Sequence, residues 1–228
     1  MRRFAVLALL LTGACGSSPD DGIVPSALVP TAVTEALFGT GEPVGEWENT
    51  PSEPADGEPA LRLHLGSRRG IATLLQEEGD RRLWRTPGGV AVATDGARVV
   101  ATAGLRQTLA ATRFDGTDLL ARLPELGEGQ WRATRVVDLM RSATDPTRMR
   151  FGVRLDCRMT VGPAPAEETL LVTETCRGGA SFTSRFWVDA RSYAVFRSEQ
   201  WVGDDLPPLV VEVVTAPATP TEIIPLPR

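Results

Sequence analysis

The chain has 228 residues, with 24 arginines, no lysine, one histidine (His64) and 29 acidic side chains for a net charge of −5. That balance excludes a generic nucleic-acid binder, and the lack of lysine removes lysine-centred chemistry. The length suits one ordinary domain with a substantial core.

The chain opens on two arginines, Arg2 and Arg3, followed by an uncharged apolar run from Phe4 to Leu11 and by small residues up to Cys15. This is the layout of a secretory signal, and the run is too short to span a bilayer as a permanent helix. Leu11-Thr12-Gly13-Ala14-Cys15 resembles a bacterial lipobox, with Thr12 where leucine is more usual. Residues 1–14 are therefore expected to be a lipoprotein signal peptide, and Cys15 the lipidated residue that anchors the chain to a membrane. Each buried methylene of such an anchor is worth about 0.8 kcal/mol, so two or three acyl chains hold effectively permanently. Gly16, not an aspartate, follows Cys15, which favours the periplasmic face of the outer membrane over inner-membrane retention.

Residues 16–58 are rich in Pro, Gly, Ser, Asp and Glu and read as a tether, with a short helix expected over 30–38. From residue 59 to 216 the pattern changes to period two. Leu61, Leu63 and Leu65 alternate with Arg62 and His64; further runs cover 71–76, 81–85, 90–94 and 98–102. Glu78-Gly79-Asp80, Pro87-Gly88-Gly89 and Asp95-Gly96 separate them as turns. One or two helical turns are expected over 118–123, stopped by Pro124. Longer runs follow at 130–140, 148–161, 169–177, 181–190, 193–202 and 209–215. The clearest alternation sets Met149, Phe151, Val153, Leu155, Cys157, Met159 and Val161 on one side and Arg148, Arg150, Arg154 and Arg158 on the other. The expected fold is all-β, with about ten or eleven antiparallel strands, and a Pro-rich tail over 217–228.

With Cys15 assigned to lipid, Cys157 and Cys176 remain as an even pair in an oxidising compartment and should form a disulfide. The Gly162-Pro163-Ala164-Pro165-Ala166 segment must break the ladder. A hairpin centred between residues 166 and 167 sets Cys157 opposite Cys176, with Glu174 out of place on an apolar face.

Catalytic patterns are sparse. His64 has neither a nucleophile elbow nor metal-ligand companions, so it reads as a surface polar residue, and no cofactor or metal is expected. Glu77-Glu78, Glu167-Glu168 and Asp204-Asp205 are either solvated turn acids or carboxylates that converge on a glycan. Trp47, Trp84, Trp131, Trp187 and Trp201 are core anchors or sugar-stacking platforms. Arg148, Arg150, Arg154 and Arg158 form either a solvated strand face or a contact for an anionic polysaccharide through charge-assisted hydrogen bonds.

Trp84 followed by Asp95-Gly96-Ala97-Arg98-Val99-Val100-Ala101-Thr102-Ala103-Gly104-Leu105 resembles the core signature of the YjbF/GfcB family of bacterial lipoproteins. Phe186-Trp187-Val188-Asp189 and Val195 to Gly203, with its Gln200-Trp201, extend the likeness. The resemblance implies a large antiparallel meander curled into an open or half barrel, and a place in capsular or extracellular polysaccharide production among other export proteins. It brings no catalytic residues with it. Gly104 fits a turn needing positive φ, and Thr102 and Trp84 fit packing roles. The expected function is a non-enzymatic accessory in polysaccharide assembly or export. The alternatives are a carrier holding a lipid or lipid-linked glycan in a concave sheet, and a two-carboxylate glycan-processing enzyme.

Overall fold

The computed structural model describes residues 54–142 and 145–217. The signal, Cys15, the expected helix over 30–38 and the tail from residue 218 lie outside the described residues.

Twelve strands follow one another along the chain: β1 (Ala60–Leu65), β2 (Arg68–Glu78), β3 (Arg81–Arg85), β4 (Ala91–Asp95), β5 (Arg98–Ala103), β6 (Thr108–Phe114), β7 (Gly129–Met140), β8 (Met149–Pro163), β9 (Thr169–Gly178), β10 (Phe182–Asp189), β11 (Val195–Gln200) and β12 (Leu209–Thr215). All neighbours are antiparallel, in the order β5-β4-β3-β2-β1-β12-β11-β10-β9-β8-β7-β6. The sheet curls until it nearly closes into a barrel. The β1–β12 ladder joins its two halves, pairing Leu63 with Val211 and Leu65 with Leu209.

The last joint, between β5 and β6, carries no ladder among the described residues. Side chains close it instead. The Leu109 amide of β6 donates to the Thr102 hydroxyl of β5. Across the barrel, the Val99 amide donates to Oε1 of Gln200, whose Nε2 donates to the Ala97 carbonyl. Edge strands must satisfy or hide their free backbone groups, and β5 does so with residues from β11.

Inward-facing residues fill the barrel in two clusters. Leu63, Trp84, Val92, Leu139, Leu155, Trp201 and Leu209 belong to one. Met159, Val172, Phe186 and Val188 form the other with Leu120 and Leu123 of the long β6–β7 connection, at the end where β1 begins. Gly104 has φ +76°, and a Cβ there would stand 2.8 Å from the Gly89 carbonyl oxygen. Only glycine lets the β5–β6 and β3–β4 turns approach so closely.

Three details depart from the sequence-based expectation. A strand over 108–114 joins the sheet, because its Ala110-Ala111 pair and a register shift between Leu109 and Ala111 hide the period of two. Pro124 opens a helical turn, α1 (Leu123–Leu126), where its missing N–H costs nothing; this is the α-helix of the described residues, and Leu120–Arg122 before it form a 3-10 turn. Finally, Gly152 at φ +65° interrupts the alternation of β8. Val153, Leu155, Cys157, Met159 and Val161 keep the inward face, whereas Phe151 is 63% exposed.

Candidate functional site

Between the two apolar clusters lies a buried ionic centre. Glu174 of β9 receives both terminal nitrogens of Arg98 from β5, at 2.9 and 3.0 Å. Arg98 also donates to Asp118 of the β6–β7 connection, at 2.5 and 2.9 Å. Arg135 of β7 reaches the same Glu174 at 3.5 Å and the Thr112 hydroxyl at 3.3 Å, while its Nε has no partner. Both guanidinium groups sit on aromatic rings: Arg98 against Phe114 and Phe186, Arg135 against Phe182 and Trp201. Phe182 and Trp201 stack on each other with centroids 4.3 Å apart.

The two arginines differ electrically. Burial works against the charge of each, but Glu174 and then Asp118 outweigh it for Arg98, whose pKa rises. For Arg135 burial prevails over the shared Glu174, and the repulsion of Arg98 adds to it, so its pKa is pushed down to about 10. Two cations thus divide one fully buried carboxylate, and Arg98 holds the larger share. The sequence carried the signal. Glu174 interrupts an apolar face, Arg135 stands between Ala133 and Val137 on the inward side of β7, and Arg98 belongs to the family-like segment. The joining of the three across the barrel was not foreseen.

Cys157 and Cys176 are bonded directly across the β8–β9 hairpin, with Cα atoms 4.0 Å apart. Glu174 lies beside them, within 4.8 Å of both sulfurs. The sulfurs are spent on each other, so no thiolate remains there for a metal.

The four arginines singled out on residues 148–158 do not share a face. Arg148 ends a 3-10 turn before β8. Beyond the Gly152 bulge Arg150 pairs with Leu139, on the inward side at the barrel's rim, and binds Asp204 and the Gly179 carbonyl. Arg154 and Arg158 point outward; Arg154 meets Asp115 at 2.7 Å, and Arg158 stands opposite Arg132.

Trp84 and Trp201 are buried, and Trp84 donates its indole N–H to Thr94. Trp131 packs against the second apolar cluster, and Trp187 lies under Arg197 on the outer wall. Trp47 is outside the described residues. Of the paired acids, Glu77, Glu168, Asp204 and Asp205 each bind an arginine. His64 faces outward on β1, with Nε2 buried and without a hydrogen-bond partner among the described residues. An open groove of about 390 Å³ lies on the outer side of β1 and β12, against residues 54–57.

At the rim where β1 ends, the β11–β12 loop (201–208) ties several turns together. Pro207 packs beside Gly66, the Asp205 amide donates to Gln107, and Asp205 and Asp204 bind Arg141 and Arg150. Val202 of the same loop is fully buried, capping the interior. Asp145 nearby accepts from the hydroxyl and amide of Thr147, which hold its carboxyl below the usual range.

A family model described as "Group 4 capsule polysaccharide lipoprotein gfcB, YjbF" matches residues 58–214, nearly the whole barrel. No curated protein matches the chain. Among solved structures, the crystal structure of the hypothetical lipoprotein YmcC from Escherichia coli (K12) is similar, with a TM-score of 0.58 and 18% identity over 71% of this chain and 85% of that one. At that identity the likeness is one of fold. The family-like segments also meet in space: Arg98 packs on Phe186, and Gln200 bonds Val99 and Ala97.

Proposed function

From a chain that belongs to the group 4 capsule polysaccharide lipoprotein family, YjbF, we propose a non-enzymatic accessory in the assembly or export of capsular or extracellular polysaccharide. It acts from the periplasmic face of the outer membrane, held by lipid on Cys15, beside other proteins of the export machinery. The observation that carries this reading is the family match across residues 58–214, a capsule-associated family with no known catalytic activity. The interior is consistent with a scaffold. Its inward side chains pack on one another, and Glu174 and Asp118 are spent on arginines. A carrier would want a hollow and a glycosidase a free carboxylate pair.

Deleting the gene should lower surface polysaccharide, and the wild-type gene should restore it. A Cys15→Ala protein should leave the membrane fraction and fail to restore. Unchanged surface polysaccharide in the deletion strain would overturn the role, and a membrane-bound Cys15→Ala protein would overturn the anchor.

A further inference from the structure

The barrel carries as many arginines as acidic residues, 21 of each between residues 54 and 217, yet its two ends are opposite in sign. The strands run in strict alternation, so every connection belongs to one end or the other. At the end where residues 54–59 enter and β12 finishes, Asp56, Glu58, Glu78, Asp80, Glu128 and Glu167 make no ion pair among the described residues; Ala60 there lies opposite Thr215. At the far end Arg68, Arg69, Arg85, Arg106, Arg148 and Arg177 are exposed and make none either among the described residues. Two of the three acids of that far end are engaged, since Asp204 and Asp205 bind Arg150 and Arg141, while Asp145, hydrogen-bonded by Thr147, keeps its charge within electrostatic reach of Arg148.

The basic residues are gathered by the loop that caps the barrel. Its Pro207 touches the turn leading to Arg68 and Arg69. Its Asp205 amide bonds Gln107, next to Arg106, and Asp204 holds Arg150, two residues from Arg148. Three separate connections, β1–β2, β5–β6 and β7–β8, thus present guanidinium groups without an ion-pair partner among the described residues on one braced rim. Crowding like charges weakens a fold, and their partners stand unused at the opposite end. Packing does not require such segregation; attraction of a polyanion does. Arginine suits carboxylates because its planar fork can donate two parallel hydrogen bonds.

We infer that the rim formed by Arg68, Arg69, Arg106 and Arg148, with Arg141 and Arg150 beside them, binds an acidic polysaccharide. The inference rests on the polysaccharide reading and names the class of polymer. The rim lies at the end opposite the one where residues 54–59 enter, so a bound polymer stays clear of the acidic end. Contact is electrostatic and follows the polymer's charge.

Affinity electrophoresis of the full-length protein in mild detergent tests this, with polygalacturonate as the acidic polymer and dextran as the neutral one. Polygalacturonate should retard the wild type, dextran should not, and added salt should weaken the retardation because exposed charges are screened. The combined change Arg68→Gln, Arg69→Gln, Arg106→Gln and Arg148→Gln should weaken binding about tenfold or more, the sum of several exposed charge contacts. Removing four arginines from the outer wall (Arg62, Arg132, Arg158 and Arg185, each to Gln) should leave it within about twofold, since any loss there measures net charge alone. Equal losses in the two variants, or indifference to polygalacturonate, would overturn the inference. So would binding to phosphatidylglycerol vesicles with polygalacturonate ignored. A rim variant that melts early is replaced by the single changes, whose effects should add. A deletion strain that loses surface polysaccharide, paired with a protein that ignores polygalacturonate, would sink this inference and leave the family-level role standing.

Discussion

From β4 round to β6 each strand of the wall is fixed by a backbone ladder, whereas β5 at the seam is fixed on one side by a ladder and on the other by side chains. A ladder uses groups that every residue but proline possesses, so it tolerates many sequences. The seam depends on particular residues: Thr102 for the Leu109 amide, Gln200 for Val99 and Ala97, Glu174 and Asp118 for Arg98. Arg98 spans the interior from the seam to β9, so the ionic centre ties the weakest joint to the opposite wall. The comparison gives residues far apart in the chain, around Asp95–Leu105 and Val195–Gly203, one shared task. They are the two sides of one closure.

Breaking the ionic tie should have the largest effect. Glu174→Gln takes from Arg135 the carboxylate it contacts and leaves Arg98 with Asp118 alone, and removing one partner of a buried ion group costs about 3–5 kcal/mol. The denaturant midpoint measures it, and a midpoint equal to the wild type's would show that the centre is dispensable. Next comes the bond that braces the wall. Replacing Cys157 and Cys176 together with alanine removes a cross-link spanning 19 residues, worth about 3 kcal/mol in the chain-entropy model. Here the Val99 amide should lose exchange protection in step with the rest of the barrel, because the whole fold weakens. Thr102→Val should act locally. It leaves the Leu109 amide buried without an acceptor, at about 1–3 kcal/mol, and Leu109 should exchange faster while the β8–β9 hairpin keeps its protection. Equal acceleration in both places would erase the distinction between seam and wall. Arg185→Gln removes one half-exposed partner of Glu199, and such a pair contributes about 1 kcal/mol or less.

The wall was far more legible in the sequence than the seam. Alternation on residues 153–161 and the Pro-rich turn after them place the β8–β9 register, including Cys157 opposite Cys176, because both signals are local. Residues 108–114 were missed because two alanines and a register shift blur the period that marks a strand. By alternation Gly152 falls between Arg150 and Arg154 on the outward side, yet its positive φ inserts a residue and turns Phe151 to solvent. That bulge also moved Arg150 away from Arg154 and Arg158. Closure by Arg98, Glu174 and Gln200 joins positions 76 and 101 residues apart. No periodicity encodes such a meeting. The visible trace was charge in inward register, at Glu174 and Arg135.

The mildest test concerns the wall alone. His64 sits on β1 opposite Val210 and Arg69, and burial lowers its pKa; Glu212 opposes that, while Arg69, Arg62 and Arg197 reinforce it. A histidine whose folded pKa lies below its unfolded value near 6.5 takes up its proton less readily in the barrel than in the unfolded chain. Above about pH 6.5 both states are neutral and the residue adds no pH dependence. As pH falls below that value the unfolded chain gains the proton first, so stability declines until the folded pKa is passed. One proton sets a ceiling of about 1.4 kcal/mol per pH unit, and the ring's partial exposure keeps the slope well under it. Midpoints measured from pH 7.5 to 5.5 should therefore fall slightly for the wild type and stay flat for His64→Gln. A slope that survives in His64→Gln would have to come from elsewhere, and its loss in Glu174→Gln would trace it to the seam.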